Sequence, residues 1–250
     1  MRILVTNDDG IYSPGIAALA KAAAKFGEVT VMAPDVEQSS MGHAVTHLRP
    51  LSFKKSPVPF DGVEAFRVNG TPADCVALGT HLYPKIDVVL SGINMGPNLG
   101  NSVWHSGTLS AARQGVLLGV KGIALSTPVG KEGPDFDGLE PYVHDVLEML
   151  LEKPGLHLYN VNFPPSPKDI IWTNLSVRLY DGKIMPAMDP MGRKHYWFTV
   201  VPLEPAEEGT DRWAIENGLV SITPLTLDLT NIEELKQRQL EEKRSKLQHS

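Results

Sequence analysis

Arg2-Ile3-Leu4-Val5-Thr6-Asn7-Asp8-Asp9-Gly10 begins with residues suited to a buried strand and then stops on two acids and a glycine. Ile3 to Thr6 is short, apolar and rich in branched side chains, the pattern of a strand covered on both faces. Ser13-Pro14-Gly15 follows at once, with Ser13 suited to cap a helix and Pro14 to fill its first position. That helix runs through Leu19 and a set of alanines to about Phe26, where Gly27 stops it. Val29 to Ala33 then reads as a second strand. Strand, helix, strand in so short a span favours a parallel sheet covered by helices.

The alternation continues outward from this opening. A polar loop, Pro34 to His47, leads to strand-like pieces near Leu51-Phe53 and Ala65-Val68 that read as a hairpin insertion. Gly70-Thr71-Pro72 starts a helix through Leu78, with Thr71 and Asp74 at capping-box spacing. Asp87 to Leu90 reads as a third buried strand, followed by a glycine-rich loop from Ser91 to Gly107 and a helix from Thr108 to Leu118. A strand over Gly122 to Leu125, a helix over Glu140 to Leu151 and a strand over Leu156 to Val161 complete the series. The expected fold is α/β, a Rossmann-like, mostly parallel sheet with helices on both faces. Ligands of such sheets bind beyond the carboxyl ends of the strands, where the polar loops after strands one, two and three fall.

Composition changes at the turn-rich Asn162-Phe163-Pro164-Pro165-Ser166-Pro167. A catalytic core is expected over residues 1–165, and a β-rich extension ending in a helix over 166–250. In the extension, Ile170-Trp172, Ser176-Tyr180, Tyr196-Val201 and Leu219-Ile222 read as strands. Thr230 and Glu233 read as a capping box before a charged helix, Ile232 to about Leu247. The acidic Gly130–Gly138 and Glu204–Gly209 stretches read as solvated connections.

Hydrophobic residues at 42% and charged residues at 21% indicate a globular chain. No apolar run is long enough to span a bilayer, and the first one stops too early for a secretory signal, so the cytoplasm is the expected compartment. The single cysteine, Cys75, rules out an internal disulfide and reads as packing within a helix. A net charge of −6 argues against stable binding of DNA or RNA, which needs clustered Lys and Arg. One small phosphorylated ligand remains compatible with it, because a metal ion supplies positive charge locally.

Three segments carry chemistry. Adjacent carboxylates at a strand end, Asp8 and Asp9, repel each other unless a cation lies between them or one is protonated. Hard oxygen ligands suit Mg²⁺ or Mn²⁺, whereas the bland alternative is an acidic turn that caps the next helix. Glu37-Gln38-Ser39-Ser40-Met41-Gly42 offers a serine hydroxyl to a metal or a phosphate oxygen, although alone it reads as an ordinary polar loop. Ser91-Gly92-Ile93-Asn94 through Asn98-Leu99-Gly100 to His105-Ser106-Gly107-Thr108 offers the Asn94 carbonyl to a metal and a helix start to an anion. No Walker lysine and no dinucleotide fingerprint accompany these glycines. His43, His47 and His105 lie on separate segments without metal-site spacing, and His105 is the one to test as a proton donor.

In combination these segments resemble the SurE (survival protein E) family of 5'/3'-nucleotidases. The matching pieces are Val5-Thr6-Asn7-Asp8-Asp9-Gly10 with Pro14-Gly15-Ile16, Ala33-Pro34-Asp35 with Gln38-Ser39, Gly70 to Val76, Ser91-Gly92-Ile93-Asn94 with Asn98-Leu99-Gly100, and Ser106-Gly107-Thr108. The resemblance implies a metal-dependent phosphomonoesterase acting on nucleoside 5'-monophosphates, with 3'-monophosphates as a second class. It implies one divalent metal, Mg²⁺ or Mn²⁺, on Asp8, Asp9, Ser39 and Asn94, with Asp8 and Asp9 also in the catalytic role. It places phosphate against Asn98, Ser106, Gly107 and Thr108. It further implies homodimers or homotetramers that exchange the C-terminal extension. Ser40 stands where the family often has glycine, which leaves a choice between neighbouring serines, and His105 stands where some members have tyrosine. Paired acids also follow the first strand in haloacid-dehalogenase-like phosphatases, but Gly10 occupies the place where those want a further acid. A receiver domain is far shorter. A metal- or nucleotide-sensing module would use the same pocket without turnover, and the C-terminal region would serve a partner-binding protein.

Overall fold

Ile3, Leu4 and Val5 are fully buried because strand β1 (Arg2–Thr6) lies inside a nine-stranded sheet. The computed structural model describes residues 1–130, 133–177, 180–202 and 205–248. Helix α1 (Pro14–Ala23), capped by the Ser13 side chain on Gly15 N, returns the chain to β2 (Glu28–Pro34), parallel to β1. Strands β3 (Phe53–Lys55) and β4 (Glu64–Val68) form the expected hairpin, and β4 joins the sheet parallel to β2. Helix α2 (Pro72–Leu82) opens on a reciprocal capping box, Asp74 N to Thr71 Oγ1 at 3.1 Å and Thr71 N to Asp74 Oδ2 at 2.9 Å. It leads to β5 (Val88–Met95) on the other side of β1. Helix α3 (Gly107–Leu117), β6 (Lys121–Thr127), α4 (Phe136–Leu151) and β7 (Leu158–Asn162) extend that side.

Six strands, β4-β2-β1-β5-β6-β7, are therefore mutually parallel. Side chains alternate across β1 as a strand requires. Ile3 and Val5 pack with Ile16 and Leu19 of α1 and Val146 and Leu150 of α4. Leu4 points the other way, to Cys75 and Val76 of α2 and Ala111 of α3. Buried Lys121 donates from Nζ to the carbonyls of Leu150, Leu151 and Lys153, closing the last turn of α4.

After β7 come β8 (Asp169–Trp172), β9 (Tyr180–Met188), β10 (Lys194–Pro202), helix α5 (Asp211–Glu216), β11 (Leu219–Leu225) and helix α6 (Ile232–Gln248). The extension is thus β-rich and ends in a helix, but two of its strands complete the main sheet. β11 runs antiparallel to β7, and β8 runs parallel to β11 at the edge. Among the described residues, only β9 and β10 stand apart, as an antiparallel ribbon. No helix among the described residues is long and apolar enough to cross a membrane.

Several boundaries differ from the sequence reading. β5 runs on to Met95, so the first part of the supposed glycine-rich loop is strand. Its register shifts between Ser91 and Asn94, at Gly92 with φ +137°, which breaks the apolar pattern. A Cβ on Gly92 would lie 2.2 Å from Leu125 O. α4 starts at Phe136, capped by Asp135 on Gly138 N, because Gly138 and Pro141 disguise its first turns. β3 begins where the expected strand ends, and β9 and α5 are absent from that reading. Ser176 and Val177 are not in a strand, and Arg178 and Leu179 lie outside the described residues, as do residues 131, 132 and 204 of the two acidic loops. The cap of α6 is Asn231, whose Oδ1 accepts from Glu234 N at 3.1 Å, one residue beyond the expected Thr230.

Candidate active site

The chain adds β2 and β4 to one side of β1, and β5, β6 and β7 to the other. The carboxyl ends of β1 and β5 therefore flank the crevice where strand order reverses, the usual ligand position in such sheets. Asn7, Asp8 and Asp9 leave β1 there. Asp8 is 4% exposed, and its Oδ1 accepts from the Thr108 hydroxyl at 2.6 Å. The Gly107 Cα lies so close that a Cβ would stand 2.7 Å from Asp8 Cβ and 2.8 Å from its Oδ2. Asp9 is less buried, and its Oδ2 accepts from Met95 N at 3.1 Å. The Asp8 carbonyl accepts from Gln38 N at 2.7 Å, which pins the loop after β2. Three loops distant in sequence thus meet at the aspartate pair.

Burial pushes the Asp8 carboxyl up to about 6; the Thr108 hydroxyl opposes the rise and the Asp9 charge adds to it. Asp9 is also raised, by burial first, against the Met95 N–H and with the Glu37 charge adding. Asn94 donates from Nδ2 to Gly96 O at 2.7 Å, which leaves its carbonyl oxygen as the available donor atom beside Asp9's partner, Met95. Ser39 is exposed, and its hydroxyl donates to Glu37 Oε1 at 2.6 Å. Asn7 is fully buried, donates from Nδ2 to Gly10 O at 2.9 Å and leaves Oδ1 without a hydrogen-bond partner. Clustered carboxylates that burial holds back from ionising, a free amide oxygen and an orphaned buried oxygen fit a hard divalent cation.

The segment expected to hold phosphate is locked to the same aspartate. Asn98 donates from Nδ2 to Ser126 Oγ at 2.9 Å and to Thr108 Oγ1 at 3.3 Å. Its N–H donates to Asn162 Oδ1 at 2.8 Å, and its carbonyl accepts from Asn160 Nδ2 at 2.7 Å and Asn162 Nδ2 at 3.1 Å. Ser106 caps α3, accepting from Leu109 N at 3.0 Å. The Ser106 and Thr108 side chains are thus engaged within the protein, Leu109 N is capped and Thr108 N–H helps hold Asp8, which leaves the Gly107 N–H at the helix start for an anion. His43 bonds through Nε2 to Gln114 Oε1 at 2.8 Å, while His105 is exposed and its carbonyl accepts from Gly42 N at 3.0 Å. Cys75 is fully buried, and burial pushes its thiol well up, consistent with packing.

Sequence reasoning missed Asn160 and Asn162. They are fully buried alternate residues of β7, and they reach the site because strand side chains repeat every second residue. Two asparagines at that spacing in an apolar strand were the available sign. It also missed Asp211, which accepts from Gly100 N at 2.7 Å.

The sequence profile of the family described as Survival protein SurE matches residues 3–182. The 5'-nucleotidase SurE 1 of Thermus thermophilus is 48% identical over 235 residues, 92% of this chain and 93% of that protein. The 5'-nucleotidase SurE of Deinococcus radiodurans is 42% identical over 236 residues, 92% and 88% of the two chains. Among solved structures, the crystal structure of the SurE protein from Aquifex aeolicus is similar with a TM-score of 0.83 at 40% identity, covering 97% of this chain and 100% of that one. A profile match over most of the chain, relatives above 40% identity and an α/β fold with the paired acids at its switch point place this chain in the SurE family.

Proposed function

We propose that this chain is a 5'-nucleotidase that releases phosphate from nucleoside monophosphates and depends on a divalent metal, Mg²⁺ or Mn²⁺. The observation that carries it is the Asp8–Asp9 pair at the β1/β5 crevice with the start of α3 seated on Asp8. The relatives from Thermus thermophilus and Deinococcus radiodurans are 5'-nucleotidases, which supports the same reading.

Asp8, Asp9, Ser39 and Asn94 would hold the metal. A bound divalent ion supplies positive charge for a phosphoryl oxygen and lowers the pKa of bound water. The chain's own residues do the rest. Thr108 and Gly107 fix the Asp8 carboxylate from one side, and the Met95 N–H orients Asp9. Burial raises the Asp8 carboxyl to about 6 without metal, so a bound cation would have to displace its proton and would hold it ionised. Asn98, clamped by Asn160 and Asn162, anchors the loop whose far end would present the Gly107 N–H at the start of α3 to a phosphate oxygen. Ser106 and Gly107 would serve phosphate through backbone, while Thr108 serves Asp8.

The core over 1–165 would carry the chemistry and the extension would carry assembly into dimers or tetramers. Exposed Ile184, Met185, Tyr196, Trp197 and Phe198 on the β9–β10 ribbon support this role, since an isolated ribbon cannot bury such side chains alone. The test is phosphate release from 5'- and 3'-monophosphates of adenosine and guanosine after chelation, with Mg²⁺ or Mn²⁺ restored. Turnover should vanish with chelator, return with metal, and be lost in Asp8→Ala and Asp9→Ala. Near-normal release from both variants would overturn the site, and binding without release would favour a sensor. A monomeric mass by light scattering would overturn the assembly role.

A further inference from the structure

Asp211 is a fully buried carboxylate outside the site, contributed by the first residue of α5. Its Oδ1 accepts from Ser176 N at 2.9 Å, Ser176 Oγ at 2.6 Å and Arg212 N at 2.8 Å. Its Oδ2 accepts from Gly100 N at 2.7 Å. Asp211 N in turn donates to Asn174 O at 2.8 Å. One side chain thereby joins three segments: the stem entering the β9–β10 ribbon, the helix that follows the ribbon, and the loop leading to Ser106 and Gly107. A second tie runs beside it, because the Asn101 side-chain amide donates to Val177 O. Leu175 of the same stem packs on the cluster that contains Val103 and Leu109.

Gly100 opens the short 3₁₀ turn Gly100–Trp104, which hands the chain to His105 and Ser106, the cap of α3. This turn spans the stretch between Asn98, held by Asn160 and Asn162, and Gly107, seated on Asp8. Its start is held by Asp211 on Gly100 N and by Val177 O on Asn101, with Val103 packed beside Leu175, and its end by Gly42 N on His105 O at 3.0 Å. A buried carboxylate that accepts four hydrogen bonds is held firmly, and so is what it holds.

We propose that Asp211 is a positioning residue for the phosphoryl site, a clasp that ties the stem of the β9–β10 ribbon to the Gly100 turn and so sets how the first turn of α3 meets the substrate. The catalytic part of this proposal rests on the phosphatase reading above; the mechanical part does not. Any change at the base of the ribbon reaches the site through this carboxylate and through Asn101.

The test uses the full chain and three variants. Asp211→Asn keeps an acceptor for the Ser176 and Arg212 donors but turns an amide NH₂ toward Gly100 N–H, which opens the clasp on the loop side. Asn101→Ala, at an exposed position, removes the second tie without disturbing the buried carboxylate. Val220→Ala, fully buried in β11, lowers stability without touching either tie. Amide hydrogen exchange over residues 98–107 should rise in Asp211→Asn and Asn101→Ala, and kcat for AMP should fall roughly tenfold to a hundredfold in Asp211→Asn and less in Asn101→Ala. Val220→Ala should leave loop exchange and kcat near the parent values. If Asp211→Asn does not fold, Asn101→Ala alone decides. Unchanged loop exchange in the ties' variants, or the same losses in Val220→Ala at matched stability, would overturn the clasp. Raised exchange in a chain whose parent releases no phosphate would keep the clasp and refute the phosphatase reading instead.

Discussion

Replacing Asp8 by asparagine should make the metal-free protein more stable and the enzyme inactive. Asp8 is 4% exposed and its pKa rises from 3.8 to about 6 on folding, chiefly through burial. A carboxyl whose pKa rises on folding binds its proton more tightly in the folded state. Its contribution to stability is fully present below pH 3.8, falls as pH climbs from there to about 6, and is absent above. At about 1.4 kcal/mol per pH unit, ionised Asp8 costs the metal-free fold about 3 kcal/mol at neutral pH. Asparagine carries no charge to desolvate and keeps an oxygen to accept from the Thr108 hydroxyl. Its NH₂ is a poor neighbour for the N-terminus of α3, which we set at about 1 kcal/mol. The expected net gain is about 1–3 kcal/mol. Urea denaturation in the presence of chelator, at pH 5 and pH 7.5, measures it. The variant should exceed the parent at pH 7.5, and the gap should narrow at pH 5. Added Mn²⁺ should reverse the order, because only the parent gains from binding. A variant less stable than its parent at pH 7.5 without metal would refute the idea that the fold is held together despite this carboxylate.

Gly107→Ala should cut kcat by about a hundredfold, because its Cβ would stand 2.7 Å from Asp8 Cβ and displace the carboxylate; steady-state kinetics at parent-like activity would contradict the contact. Thr108→Val removes the hydrogen bond that lowers the Asp8 pKa, so the acid limb of metal binding, followed by titration calorimetry across pH 5–8, should move to higher pH. A limb that stays put or moves to lower pH speaks against the assignment. Asn162→Ala leaves Asn98 N without its acceptor in a buried place and should cost about 1–3 kcal/mol in thermal or urea melts, together with lost activity; an unaffected kcat would separate that network from the site.

The central fold was legible because local rules agreed with tertiary demands. Ile3 to Val5 are apolar and branched where the sheet is covered on both faces, Ser13 and Thr71 cap the helices they precede, and Asp74 completes the box from the first turn of α2. The paired acids alone fitted an acidic turn equally well, and they stood out through their combination with the Ser39, Asn94 and Ser106–Thr108 segments. What escaped is what depends on contacts between distant residues. Gly92 belongs to a strand whose register shifts against β6, so its surroundings set its conformation and its neighbours do not. Thr108 read as a phosphate ligand because a helix start looks alike whether it faces solvent or a buried aspartate. Asp211 carries no local mark at all, since its partners lie at Gly100 and Ser176. In the extension, β9 contains Gly182 and Pro186, which mask strand character that only pairing with β10 reveals.

Thr108 meets Asp8 across 100 residues of chain, and Gly100 meets Asp211 across 111. Neither half of either pairing does anything alone. A nascent chain released as far as α2 would carry both aspartates yet have no shelter for them, and they would titrate like any acids in water. The reactive character of the pair therefore requires both the loop after β2 and the start of α3 to have joined β1. Cation uptake should report finished molecules and pass over partly folded ones, which makes catalytic competence a built-in record of completed assembly.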